Sequence, residues 1–256
     1  MRTRLRRLIA GPLARCAGAA VPYDENILSL FTTSILSYLK MDETTGATAA
    51  DASGNSRTGT YANVTLNNVA LPSGVGGNAP LFNGGVTDTS YLNWYTASLA
   101  TATPGAAGSL IILAQTSAWA DGIGRDIAYL RADASNNIYV YKGTTLNEIV
   151  FTYRAGNTPK SVTSTALAGS SAFFMAALTW SKAADEVKAF LNGSQVGATQ
   201  TGLGTWAGNF SSTLTNLGAH TQAGANVWAG GLAHAILLNR VATPSELAQV
   251  WTWANP

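Results

Sequence analysis

The amino-acid sequence predicts an all-β protein, a sandwich or barrel of short strands, preceded by an arm and connector over residues 1–35. Three observations favour this fold. Apolar blocks of strand length alternate with segments rich in Gly, Asn, Asp and Ser. Hydrophobic residues make up 46% of the chain and charged residues only 11%, which argues against an intrinsically disordered protein. Residues 172–196 have the pattern of two paired strands followed by a tight turn.

The segment 172–196 is the clearest of these patterns. Its apolar runs, 173–180 and 187–191, flank a short polar break, as expected for two antiparallel strands joined by a loop. In the second run Val187, Ala189 and Leu191 share one face, because side chains alternate along a strand. Asn192 and Gly193 tolerate positive φ, so the chain is expected to reverse there into a third strand.

The N-terminal region differs from the rest in charge. Five arginines and no acidic residue occur in residues 1–17, whereas the remainder carries ten basic and thirteen acidic residues. Binding to nucleic acid would call for interleaved aromatic residues, and membrane attachment for a larger apolar face. Anchoring in a larger protein assembly fits best, and a poor secretory signal is the alternative. The predicted anchoring residues are Arg2, Arg4, Arg6, Arg7 and Arg15.

Residues 22–35 are expected to connect this arm to the sandwich. The polar residues 24–26 predict the cap of a short helix over 27–31. No apolar run reaches the roughly 20 residues that span a bilayer.

Strands are then predicted in close order over 91–95, 109–115, 126–131, 137–142 and 148–153. In 137–142, Tyr139 and Tyr141 share one face, which either points to water or lines a concave sheet. After a last strand, Thr243, Pro244 and Glu246 predict a capping box at the start of a short C-terminal helix. The expected core residues are Phe82, Ile111, Leu113, Leu178, Leu191, Ile236 and Leu238.

Several motifs together resemble a known family. Residues 36–46 followed by Asp51-Ala52-Ser53-Gly54-Asn55, then 79–84, the hairpin 172–196 and the segment 228–247 are similar to successive parts of laminin-G-like domains. These belong to the concanavalin A-like lectin and glucanase jelly rolls, and the resemblance implies a two-sheet antiparallel jelly-roll sandwich over residues 36–256. Domains of this kind with N-terminal tails resemble accessory proteins of bacteriophage particles, which implies a place on a virion.

Catalytic signatures were sought across the chain. The related glucanases carry two carboxylates on one strand as Glu-x-Asp-x-x-Glu, and this spacing does not occur here. The single cysteine, Cys16, excludes an intrachain disulfide and a cysteine-based zinc site. The sequence therefore favours a protein that is not an enzyme and needs no cofactor.

Two kinds of binding site remain open. Sugar binding requires aromatic faces beside hydrogen-bonding groups, for which Trp119 and Trp206 in loop-like surroundings, with Tyr139 and Tyr141, are the candidates. Many relatives of the resembled family bind calcium at the sandwich rim, and here Asp42, Asp51 and the Gly54 carbonyl are candidate ligands. Roles in turns are the alternative for these three residues.

The leading hypothesis is a non-enzymatic structural and adhesive protein of a virus particle, such as a capsid decoration or tail-associated protein. The arm would bind other virion proteins in an oligomeric assembly, and the sandwich would be displayed to bind glycans. The alternatives are a secreted, extracellular carbohydrate-binding module and a diverged glycosidase. No specific nucleic-acid partner is expected.

Overall fold

Alternating apolar blocks form two β-sheets in the computed structural model, which describes residues 21–85, 87–167 and 169–256. Within those residues there are sixteen strands and three α-helices, with a 3₁₀ turn at Thr32–Ser34. In chain order they are α1 (Tyr23–Phe31), β1 (Ile35–Leu39), β2 (Thr48–Ala49), β3 (Gly59–Ala62), β4 (Thr65–Ala70), β5 (Asn78–Asn83), β6 (Tyr91–Asn93), α2 (Ala97–Thr101), β7 (Ala107–Ala114), β8 (Arg125–Asp133), β9 (Asn136–Lys142), β10 (Ile149–Ala155), β11 (Thr158–Ser164), β12 (Phe174–Ser181), β13 (Glu186–Leu191), β14 (Ser194–Gln200), β15 (Thr215–Leu217), β16 (Ala229–Leu238) and α3 (Pro244–Ala254).

Every strand pairing in the two sheets is antiparallel within the described residues. The first sheet has the order β14-β13-β12-β7-β16-β5-β4, and β1 also pairs with β16. The second sheet has the order β11-β10-β9-β8-β15-β6-β3-β2. The two-sheet antiparallel sandwich and the short C-terminal helix are thus confirmed. The arm over residues 1–20, with Arg2, Arg4, Arg6, Arg7 and Arg15, lies outside the described residues.

The predicted hairpin and the turn into a third strand are confirmed. Strand β12 pairs with β13, which pairs with β14. The turn residues Asp185, Asn192 and Gly193 all have positive φ, a conformation that Asn and Gly adopt at little cost. The order of the three strands therefore follows from local turn chemistry.

The core lies partly between the sheets and partly outside them. Leu178 of the first sheet and Phe151 of the second belong to one buried cluster, which fills the space between the sheets. A second cluster lies on the opposite face of the first sheet, where helices α1 and α3 cover Ile111 and Ile236. The first sheet is therefore buried on both faces, which explains why its central strands read as continuous apolar runs.

All seven predicted core residues are buried, each at most 4% exposed. Phe82, Leu178 and Leu191 lie between the sheets, whereas the other four belong to the helix-covered cluster. Trp180 and Trp228, both fully buried, are packing residues as well.

Helix α1 differs from the expected short helix. It begins at Tyr23 rather than at residue 27, and Pro22 precedes it without a side-chain cap, so Asp24 and Glu25 lie in its first turn. Its residues Tyr23, Ile27 and Phe31 are at most 3% exposed within the second core cluster. Residues 23–34, which the sequence assigns to the connector, are thus packed onto the sandwich.

The capping box is present as predicted. Thr243 accepts a hydrogen bond from the Glu246 amide, and the Glu246 carboxylate accepts one from the Thr243 amide. The same carboxylate pairs with Arg240, which fixes the last helix against the end of β16.

Candidate functional site

The outer face of the second sheet is the candidate site, and strand register builds it. Residues directly opposite each other in a ladder point to the same face, so pairing across the sheet aligns side chains in rows. One row faces the core and contains Leu92, Leu217, Ala128, Val140, Phe151 and Val162. The neighbouring row points outward and contains Thr60, Asn93, Asn216, Tyr129, Tyr139, Thr152 and Ser161.

A second outward row lies two residues further along each of the strands β8, β9 and β10. Arg131 of β8 pairs with Asn137 of β9, which in turn pairs with Arg154 of β10. We call the two outward rows, with the neighbouring Tyr141, the tyrosine face.

Four aromatic rings form a continuous series on the tyrosine face. The His220 ring stacks on Tyr129 with centroids 3.9 Å apart and an interplanar angle of 24°. Tyr129 meets Tyr139 edge-on at 5.7 Å, and Tyr139 stacks on Tyr141 at 5.3 Å and 20°. Tyr139 and Tyr141 are half-buried, so each ring is partly open to a ligand. Such pairs hold the rings in fixed orientations, as a stacking platform requires.

His220 is held in place by a buried carboxylate. Its Nδ1 lies 2.9 Å from Oδ2 of Asp126, whose side chain is 3% exposed. Burial raises the pKa of Asp126, and the hydrogen bond from His220 opposes that rise. The pair fixes the imidazole over Tyr129, with its other edge directed away from Asp126.

The tyrosine face also holds buried polar atoms that lack a protein partner. Among the described residues seven buried side-chain nitrogen or oxygen atoms have none, and five of them are on this face. Such atoms are costly unless water or a bound molecule supplies the hydrogen bond. The five are Asn93 Oδ1, Asn216 Oδ1, Asn137 Oδ1, Arg131 Nε and Arg154 Nε.

A depression of about 290 Å³ opens where these features meet. Its volume is at the lower end of the range for small-ligand sites. Aromatic rings, one amide and two guanidinium groups therefore converge on one place, a combination suited to binding a polar ligand that has hydroxyl groups. The lining residues are Tyr129, Arg131, Ala134, Asn137, Tyr139, Arg154 and His220.

The two predicted tryptophans are placed differently. Trp119 is only 3% exposed: its Nε1 donates to the Ser170 carbonyl and its ring packs against Phe174. The exposed ring expected there is instead a core residue, because the loop around it folds inward. Trp206 is half-buried, packs against the inter-sheet core and lies directly against Gly105. Neither tryptophan lines the depression.

The candidate calcium ligands have other partners in the structure. The Asp51 carboxylate accepts hydrogen bonds from the amides of Tyr38, Ser53 and Arg57, which fixes the turn that Gly54 completes at φ 82°. Asp42 pairs with Lys40. Within residues 21–85, 87–167 and 169–256 no group of three or more His, Cys, Asp or Glu side chains could hold a metal ion. A turn role is therefore observed for Asp51 and Gly54, whereas Asp42 takes part in an ion pair.

The described helices are also too short or too polar for a membrane span.

Sequence reasoning missed most of the site. The alternation in β9 places Asn137 on the same side as Tyr139 and Tyr141, so that amide was within reach of the pattern. Arg131, Arg154 and the pair His220–Asp126 come together only through strand pairing and a loop from elsewhere in the chain.

Comparison with known proteins identifies the fold but no family. No family model matches the chain, and no curated protein matches its sequence. Among solved structures, the binding domain of botulinum neurotoxin DC in complex with rat synaptotagmin II is similar, with a TM-score of 0.64 and 14% identity over 87% of this chain. The same domain in complex with SialylT gives 0.60 and 13%, and the botulinum neurotoxin type G receptor binding domain 0.57 and 14%.

This chain spans about half the length of those structures, 54–55%. The similarity supports the β-sandwich architecture, and at this level of identity it extends to the fold alone.

Proposed function

We propose that this chain is a non-enzymatic binding domain whose ligand is a glycan held on the tyrosine face. The observation that carries the proposal is the junction of half-buried Tyr139 and Tyr141 with five unpartnered polar atoms on one outward surface. Sugars present apolar C–H faces beside hydroxyl groups. Aromatic rings match the first, and amide and guanidinium groups match the second.

The lining of the depression favours binding over hydrolysis. Glycosidases use two carboxylates on either side of the scissile bond, and none of the seven lining residues is acidic. The similar solved structures are binding domains of botulinum neurotoxins, one in complex with SialylT, which agrees with a binding role.

The test is a glycan array probed with the wild-type chain and with Tyr139→Ala and Tyr139→Phe. Stacking on an aromatic face is worth on the order of 1 kcal/mol, so we expect Tyr139→Ala to weaken binding about fivefold. The Phe variant keeps the ring and should lose less. A wild-type chain without signal on the array refutes the proposal, and so does unchanged binding by Tyr139→Ala.

A second part of the proposal concerns attachment. We propose that the basic arm anchors the domain in a larger assembly, a virus particle. In the alternative the domain is a secreted, extracellular module and the arm is a poor secretory signal. The support is the charge contrast: five arginines without an acid in residues 1–17, against a slightly acidic remainder. Arginine suits such interfaces because its planar group makes several hydrogen bonds and is weakly hydrated.

Co-sedimentation of the full chain and of residues 21–256 with the assembly tests this attachment. The shortened chain keeps helix α1 and both core clusters, so a loss of binding would report on the arm rather than on unfolding. Full co-sedimentation of the shortened chain would refute the role of the arm.

A further inference from the structure

The depression is lined by positively charged side chains and by no negatively charged one. Arg131 and Arg154 both line it, together with Asn137, Tyr129, Tyr139 and His220, and none of its lining residues is a carboxylate. The acidic residues on the neighbouring strands form hydrogen bonds with other residues. Asp126 is buried against His220, and Asp133 accepts hydrogen bonds from Asn136 and the Ser135 amide.

Most hydrogen-bond donors of the two guanidinium groups are unused. Arg131 donates from Nη1 to the Tyr129 hydroxyl at 3.2 Å, and Arg154 donates from Nη1 to the Ala134 carbonyl at 3.3 Å. The Nε atom of each lacks a partner. Within the described parts of the chain neither side chain forms an ion pair with a carboxylate within 4.0 Å. The pKa of Asp133 is lowered mainly by its hydrogen bond from Asn136, and the charge of Arg131 adds the smallest contribution. A guanidinium has five N–H donors in a planar fork, which matches a carboxylate or a sulfate.

Their spacing places both groups beside one ligand. Arg131, Asn137 and Arg154 are successive partners on three neighbouring strands, so the arginines lie about 10 Å apart at the backbone, with an amide between them. Long arginine side chains can converge from that distance on one sugar residue. Tyr139, on the adjacent row, supplies the ring on which the sugar would stack.

We infer that the depression selects an anionic sugar, whose acidic group is bound by Arg131 and Arg154 while its ring lies on Tyr139. This inference rests on the proposed glycan-binding function and specifies its ligand. The acidic group is a carboxylate or a sulfate, since both offer oxygens that accept from a guanidinium fork.

The experiment uses a glycan array with neutral, carboxylated and sulfated members, printed in two copies. In one copy the carboxylates are converted to methylamides, which removes their charge and leaves sulfates unchanged. The wild type is compared with Arg131→Gln, Arg154→Gln and Arg154→Lys. The control is Lys188→Gln, which removes one positive charge from the first sheet. Far-ultraviolet circular dichroism and tryptophan fluorescence verify that each variant is folded.

We expect signal on acidic glycans only. Loss of the signal in the methylamide copy identifies a carboxylate, and signal confined to sulfated members identifies a sulfate. Each Gln variant should bind about tenfold more weakly, because a charge-assisted hydrogen bond is lost. Arg154→Lys, which keeps the charge without the fork, should fall between wild type and Arg154→Gln. Lys188→Gln should bind as the wild type does.

Two results would overturn the inference. In the first, the chain binds neutral glycans as strongly as acidic ones, and Tyr139→Ala still weakens this binding. That result would support the glycan-binding function but refute the selection for acidic sugars. Signal on acidic glycans that Arg131→Gln and Arg154→Gln leave unchanged would place the acidic group elsewhere. Absence of all signal would refute the glycan-binding function and this inference together.

Discussion

We predict that His234 makes the stability of this protein sensitive to mild acid. It lies in the middle of β16 at 4% exposure and adopts a φ of 50°, which side chains other than Gly, Asn and Asp rarely do. Its Nδ1 is 2.6 Å from the hydroxyl of Tyr38, and the Tyr23 ring of helix α1 meets it edge-on with centroids 4.8 Å apart. Burial lowers the pKa of His234 to about 4, because a charged imidazole would lose its hydration there.

The direction in which stability changes with pH follows from whether the folded or the unfolded state binds the proton more readily. The unfolded chain takes up a proton on this histidine near its ordinary pKa of 6.5, whereas the folded chain resists protonation until about pH 4. The free energy of unfolding is therefore undiminished by His234 above pH 6.5, and it falls progressively as the pH drops towards 4, because the unfolded state binds the proton more readily. Relative to pH 7, the loss amounts to about 2 kcal/mol at pH 5 and about 3 kcal/mol at pH 4.

Urea unfolding at pH 7 and pH 5, followed by tryptophan fluorescence, measures this loss. The reference is His234→Asn, because an asparagine amide reaches the Nδ1 position, tolerates positive φ and does not titrate. Asp121 and Glu246, whose pKa values ion pairs lower, also lose stability in acid, but they are present in both proteins and cancel in the comparison.

We expect the free energy of unfolding to fall about 2 kcal/mol further in the wild type than in the variant between these two pH values. Equal losses in the two proteins would show that His234 is not held neutral by its surroundings.

Two further predictions concern stability. Asp121 pairs with Arg125 and with the fully buried Lys142, so Asp121→Asn leaves a buried charge unpaired and should lower the free energy of unfolding by about 3 kcal/mol in urea titrations. Glu186→Gln breaks only a half-exposed pair and should cost less than about 1 kcal/mol; equal costs would contradict the reasoning. Residues 21–256 should unfold at the same temperature as the full chain by circular dichroism. Residues 36–256, which lack α1 and uncover the second core, should unfold at a markedly lower temperature, and equal values for the two fragments would show that α1 adds no stability.

The tyrosine face combines polar and aromatic groups on one outward surface. Its outward rows hold amides, hydroxyls and tyrosines, and its two arginines are concentrated beside one depression. The proposed binding of a glycan there requires a rigid support. The inter-sheet core supplies it from below, where Val140 and Phe151 alternate with the outward residues.

The sequence alone determined the features that depend on neighbours along the chain. The hairpin over 172–196, the turn at Asn192, the capping box at Thr243 and the alternation that puts Tyr139 and Tyr141 on one face are all local patterns. Local geometry fixes them through strand period, turn conformation and the unpaired amides at a helix start. Together with the resemblance to laminin-G-like domains, they predicted an antiparallel sandwich with a terminal helix.

Tertiary structure alone decided which distant residues meet. His220 and Asp126 are 94 positions apart, and Arg131 and Arg154 come to the two sides of Asn137 only because β8, β9 and β10 pair in one register. Trp119 has loop-like neighbours in sequence, yet the fold buries its ring against Phe174. A one-residue slip of register would turn every side chain of a strand to the other face, so non-local pairing, which no short sequence pattern encodes, decides what the surface presents.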